Sequence, residues 1–324
     1  MSNLLTRRSF ALLAAGALGA LAAAPAHAQI GGLGRAVGRI AQHANVTNVL
    51  EGTPPISSNI NDAVFSVDSL DNFTPREAKR SLLQLQRTPN GGFVLQPGYY
   101  EFHAQSYCLH AGTHSPLSGG SGYIYSPVKG TAVDAVESIL RNSVNHPNIE
   151  QHDIQVLLWA IVARAKFEDL DTHLKQTATQ LLTPRQLAAL NRTALDLVPG
   201  PAMDAMMDRV PDALKTIVRA EAQIRQLATT PGTTYDQLER VAVLAGVPPM
   251  GVGSKNVPTG RWSLHPDGYY VRYMPQGYTY TVEQLWVPQG SPAVGREYDP
   301  ATHIAMPGNT NMQRLIQSGR EKAH

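Results

Sequence analysis

The chain of 324 residues has a single cysteine, Cys108. With no second cysteine, no disulfide can form within the molecule, so any stabilisation must come from packing and hydrogen bonding. A charge of one sign is also missing. The 27 Lys and Arg fall to 25 if Arg7 and Arg8 are removed with a leader, against 25 Asp and Glu. Such a balance gives no electrostatic basis for binding nucleic acid or an anionic lipid surface. No repeat of fixed period is visible, which argues against a helical solenoid. A cofactor fingerprint is lacking too. GGLGRAVG at 31–38 has the glycines of a phosphate loop, but neither a preceding strand nor an acidic residue at the required distance. No cofactor and no resident metal are expected. Beyond the first 28 residues no run is apolar enough to cross a bilayer, so stable membrane insertion is not expected.

What is present begins with TRRSFALLAAGALGALAAAPAHAQ. Arg7 and Arg8 precede an apolar run that ends in Ala26-His27-Ala28. This charged, apolar and cleavable layout is that of a secretory signal, and the paired arginines point to the twin-arginine route. Residues 1–28 are therefore expected to be a signal peptide, with the mature chain starting near Gln29. The expected location is outside the cytoplasm, either periplasmic or extracellular at the cell surface. Residues 29–70 are mixed in composition and weakly periodic, include the Ser/Asn/Pro-rich run EGTPPISSNINDA, and read as a flexible leader.

The fold class expected is α+β, with short β-strands and a helix-rich domain over 71–250, then a small β module over 257–290 and a C-terminal tail over 291–324. Thr74-Pro75 suggests a helix start. GGFVLQPGYYEFHAQSYCLHAG alternates aromatic and polar residues as strands do. Val133, Val136, Ile139, Leu140 and Val144 recur at helical spacing, as do Ile154, Leu157, Leu158, Ile161 and Val162. Further helices are expected from Thr183-Pro184, from Asp212 and from Thr234 to Gly246. Pro-Asp-Gly and Pro-Gln-Gly turns then separate β-rich runs.

Cys108 admits several readings. It can be a small core hydrophobe in a structural protein. It can be the nucleophile of a secreted cysteine-dependent hydrolase, with His103, His110, His114, His146 or His152 to take the thiol proton. It can also join His110 and His114 in a copper or zinc site, although His-x-x-x-His in a glycine-containing turn does not present both rings together as a helix would.

Two short segments carry a further signal. Tyr107-Cys108-Leu109 places the cysteine between an aromatic and an apolar residue. Ile154-Gln155-Val156-Leu157-Leu158-Trp159 has an apolar residue, Gln, two free positions, an apolar residue and an aromatic one. The pair resembles the motifs of bacterial thioester domains, known from surface adhesins of Gram-positive bacteria. The resemblance implies an internal thioester between Cys108 and Gln155, formed with loss of ammonia. It also implies covalent attachment to an amine or hydroxyl on a protein or glycan target. The role implied is surface or envelope binding, in which the protein reacts once and does not turn over. His110 and Trp159 are the expected supporting residues, Trp159 as a cover one helical turn beyond Gln155. Gln151 remains an alternative amide. Helical geometry puts Gln155 at the margin of an apolar face.

Overall fold

The computed structural model describes residues 53–116, 121–195, 207 and 212–322. Residues 1–28, expected as a signal peptide, and 29–52 of the expected leader lie outside them. In chain order the first strands are β1 (Lys79–Ser81), β2 (Phe93–Val94), β3 (Gly98–Cys108), β4 (Thr113–His114) and β5 (Tyr123–Pro127). Helices given in full among the described residues follow: α1 (Val133–Ser143), α2 (Gln151–Val162), α3 (Thr172–Leu181), α4 (Pro184–Thr193), α5 (Asp212–Ala228) and α6 (Tyr235–Ala242). The chain then returns to strands with β6 (Val243–Leu244), β7 (Ser263–Leu264), β8 (Tyr270–Pro275) and β9 (Tyr280–Val287). The last are β10 (Glu297–Tyr298), β11 (His303–Pro307) and β12 (Leu315–Glu321).

Six of these strands close on themselves. Going round, β3 pairs with β12, β12 with β11, β11 with β5, β5 with β8, β8 with β9, and β9 returns to β3, every pair antiparallel. Ring closure pairs most of the strand edges within the sheet itself. Two short strands extend it: β1 runs parallel to β3 over Tyr99–Glu101, and β7 pairs with β8. The expected α+β class, with short strands, a helix-rich domain and a separate β module, is thereby corrected. The described residues form a six-stranded antiparallel barrel with two added strands and helices α1–α6, and the strands dominate the core. β3 alone is 11 residues long. The run expected as a β module supplies β8 and β9 to the same ring, and residues 291–324 supply β11 and β12. Gly98 lies opposite Val287 and Cys108 opposite Leu315, pairings that no local periodicity reveals.

Local signals are also overridden near the N-terminus. In place of a helix from Thr74, Lys79–Ser81 is drawn into parallel pairing with β3, and a 3-10 turn follows over Leu82–Gln84. Within 53–70, Ile56, Ile60 and Ala63 are buried in the core. Helices α1–α6 are inserted between β5 and β6. There Thr183 caps α4 through a reciprocal capping box with Gln186, and Pro184 occupies the first turn.

Strand alternation divides the core. Tyr100, Phe102, Ala104 and Cys108 of β3 join Tyr123, Tyr125, Val271, Tyr273, Leu285 and Leu315 in the cluster that fills the barrel. Tyr107 and Leu109 face the opposite way, into a second cluster built mainly from α1, α2 and α3. Each fully buried Leu or Ile there contributes about 1.5–3 kcal/mol.

Candidate functional site

The site lies where the barrel wall divides. β3 pairs with β9 only as far as Gln105, opposite Tyr280. Beyond that point Ser106, Tyr107 and Cys108 retain only β12 as a strand partner. Successive backbone groups of a strand point to opposite edges. Leu109 N–H donates to Arg314 C=O on the β12 side, so the N–H and C=O of Cys108 point to the side β9 has left. A buried backbone pair left without partners would cost about 1–3 kcal/mol per group.

Helix α2 fills that position with side chains. The Cys108 N–H donates to Gln155 Oε1 at 2.7 Å, and Gln155 Nε2 donates to Cys108 C=O at 3.0 Å. The carboxamide thus pairs with Cys108 through two bonds, as a neighbouring strand would. One turn earlier, Gln151 Nε2 donates to Ser106 C=O at 3.1 Å and to Thr279 C=O at 2.7 Å, while its Oε1 accepts from Lys322. The two glutamines that the sequence leaves as alternatives are therefore separated by position: Gln155 holds Cys108, and Gln151 ties β3 to the chain entering β9. Gln155 is not at the margin of an apolar face. Nearly every side of α2 is buried, and Gln155 is 1% exposed.

Trp159 is also buried, in the same cluster as Cys108. Its ring stacks on Tyr235 of α6 at 5.8 Å, and its Nε1 has no hydrogen-bond partner. His152, which is exposed, also stacks on Tyr235, nearly parallel at 3.9 Å. His152 and Trp159 flank Gln155 by one turn on either side, so Tyr235 lies across the helix face that carries the amide. The Tyr235 hydroxyl is 2.9 Å from that of Tyr278, which donates to Glu239.

Burial pushes the Cys108 thiol well above its usual range, and the negative charge of Glu239 adds to the effect. It is a protonated thiol at neutral pH, the opposite of the standing thiolate that a Cys–His pair maintains. His110 is 3% exposed and its Nε2 has no partner. Burial, reinforced by the Arg314 charge, lowers it to about 3, so it is a neutral imidazole. His103 lies further back on β3, bonded to Tyr280 and Glu101, and His114 meets the carbonyl of Gly246. His146 bonds the carbonyl of Asn142. Among the described residues no three His, Cys, Asp or Glu side chains converge as a metal site would require.

Tyr235, Glu239 and Tyr278 were not singled out from the sequence. The nearest signal is in TYDQLERVA, where Tyr235 and Glu239 are four residues apart behind the N-capping Thr234 and so share one face of α6. Tyr278 arrives from the β8–β9 turn, which local patterning does not connect with α6. No protein-family model, no curated protein sequence and no solved structure matches this chain.

Proposed function

We propose that Cys108 and Gln155 form an internal thioester, and that the protein is an exported surface- or envelope-binding protein that uses this bond for covalent attachment. The observation that carries the reading is the two-bond pairing of the Gln155 carboxamide with the backbone of Cys108. It holds the amide beside the residue that bears the only thiol, on a buried helix that cannot drift. It also aims the Cys108 N–H at Oε1, the atom on which negative charge grows when sulfur adds to the amide carbon. As the Cδ–S bond forms and the Cδ–N bond breaks, the thiol proton leaves with the nitrogen as ammonia. An amine or hydroxyl of a protein or glycan target then attacks the same carbon, the C–S bond breaks, and Cys108 regains a proton. Burial of the pair keeps bulk water from competing.

Peptide mapping tests the bond. A mass lower by one ammonia is insufficient alone, because a mature N-terminal Gln29 can cyclise with the same loss. The expected result is a cross-link between the Cys108 and Gln155 peptides, opened by methylamine to give a methylated glutamine and one new thiol. Ready alkylation of Cys108 in fresh, folded protein would sink the reading.

A second, structural reading is favoured by Gln151, which makes comparable amide contacts to β3 with no thiol beside it. In that reading Gln155 only completes the strand edge, and alkylation after denaturation finds one free thiol. A cysteine hydrolase differs from both because it turns over and regains its thiol.

A further inference from the structure

We infer that the middle of the barrel binds a small cluster of buried waters, held by Glu283, Tyr273, Thr281 and Gln317. The inference is independent of the Cys108 chemistry. It starts from polar atoms that are folded into the interior without a partner. One carboxyl oxygen of Glu283, the hydroxyls of Tyr273 and Thr281, and both the oxygen and the nitrogen of the Gln317 carboxamide have no hydrogen-bond partner among the described residues. None of the four residues is more than 1% exposed.

Strand register brings them together. Residues directly opposite on neighbouring strands share a face of the sheet. Glu283 lies between Phe102 of β3 and Tyr273 of β8, and Thr281 lies opposite Ala104. Phe102, Ala104 and Tyr273 belong to the cluster that fills the barrel, so Glu283 and Thr281 point inward as well. Gln317 is two residues beyond Leu315, another member of that cluster, and opposite Ser106. The rows of paired residues do not close on themselves. From Phe102 the row runs through Glu283 and Tyr273 to Tyr123. From Cys108 it runs the other way round, through Leu315 and Ala305, to Tyr125. This offset is the stagger of tilted strands in a closed ring. Spread evenly over the strands, it brings Ala104, Thr281, Glu283, Tyr273, Ala305 and Gln317 to within about a residue of one height. Two of these are alanines, so the layer is short of side-chain volume where it is rich in polar atoms.

The class of guest follows from the hydrogens. The two hydroxyls and the Gln317 amide nitrogen have hydrogens to donate, whereas the Gln317 and Glu283 oxygens have lone pairs to offer. A cation would take the oxygens and leave the Gln317 N–H groups unpaired. An anion would be set against the Glu283 and Gln317 oxygens. A neutral guest that both donates and accepts suits every atom, and water is the smallest. Buried waters make about three hydrogen bonds each, typically to polar groups that the protein leaves unpaired. Near Cys108, helix side chains complete the hydrogen bonding of the barrel wall. In the middle of the barrel, solvent does so.

The experiment reads the sign of two near-isosteric substitutions in the full chain. With waters in place, Tyr273→Phe and Thr281→Val each remove a hydrogen bond and leave a water short of a partner. The melting temperature of each variant should then fall by about 2–4 °C. In a dry interior the same changes remove an unpaired polar group, and the melting temperature rises. A rise or no change in either variant would overturn the inference. Should a variant fail to fold, a crystal structure of the unaltered protein decides. Ordered waters within hydrogen-bond distance of Glu283 Oε1, the Tyr273 hydroxyl and the Gln317 amide are expected. A dry interior, or an ion in their place, would overturn the water cluster.

Discussion

Around Cys108 the polar groups that the barrel wall leaves open are taken up by helix side chains, Gln155 on one strand position and Gln151 two residues before it. Around Glu283 of β9, the polar groups have no such supplement. Glu283 is fully buried inside the barrel, one carboxyl oxygen accepting from Tyr298 at 2.7 Å and the other without a partner. Directly opposite on β8, the buried hydroxyl of Tyr273 is also unpartnered. His303, nearby, is held by Tyr269 at 2.5 Å and by the carbonyl of Asp299. Burial pushes Glu283 up to about 8, so this carboxyl keeps its proton at neutral pH. One buried region thus meets its polar demand with neutral amides, the other by holding a titratable group in its uncharged form. A polar group tolerates burial when a neighbour pairs with it or when it sheds its charge, and the barrel uses both.

The largest effect is expected from an alteration that strikes both regions. Deleting residues 291–324 removes β11 and β12 and opens the ring between β3 and β5. Loss of the cooperative thermal transition is expected, followed by circular dichroism. A truncated chain that melts like the full protein would break the view that both regions belong to one barrel.

A pH series separates the buried carboxyl from the buried imidazoles by sign. The folded protein keeps a proton on Glu283 that the unfolded chain, with a value of 4.5, has released. Stability therefore falls as pH rises from about 4.5 to about 8. Glu283→Gln should recover on the order of 3 kcal/mol at pH 7, and little at pH 4.5. His110 and His303 act oppositely, each lowered by burial from 6.5 to about 3. The unfolded chain takes up their protons first, so their contribution is complete above pH 6.5 and is lost as pH falls towards 3. In the Glu283→Gln background this acid limb should persist, visible as a melting temperature that declines below pH 6.5. A Glu283→Gln gain that does not change with pH would refute the protonated carboxyl.

The most selective chemical change concerns the two glutamines. Gln155→Ala leaves the Cys108 N–H and C=O unpaired, a cost of about 1–3 kcal/mol per group, and should abolish the cross-link. Gln151→Ala should lower stability by a similar or smaller amount while the cross-link survives. Urea denaturation and peptide mapping of the two variants read these outcomes. Equal loss of the cross-link in both would erase the distinction between the amide that reacts and the amide that only supports.

Much of the helical part is legible without the fold. α1 and α2 occupy the runs where apolar residues recur at helical spacing, and α4 begins at Thr183-Pro184, because a helix draws its hydrogen bonds and caps from residues three or four positions away. The solitary thiol and the spacing of the Cys108 and Gln155 segments are likewise properties of the chain itself. The barrel is not, since Cys108 finds its strand partner at Leu315 and Gly98 finds Val287. Nor could local patterning choose between Gln151 and Gln155. That choice depends on where β9 parts from β3, which leaves the Cys108 backbone open to the second glutamine and the Ser106 carbonyl to the first. Tyr278 meets Tyr235 and Glu239 only because the β8–β9 turn packs against α6. Sequence by itself determined the elements whose partners lie within a turn or two. Tertiary structure decided every contact whose partner is far along the chain, because strand pairing and side-chain encounter depend on closure of the ring.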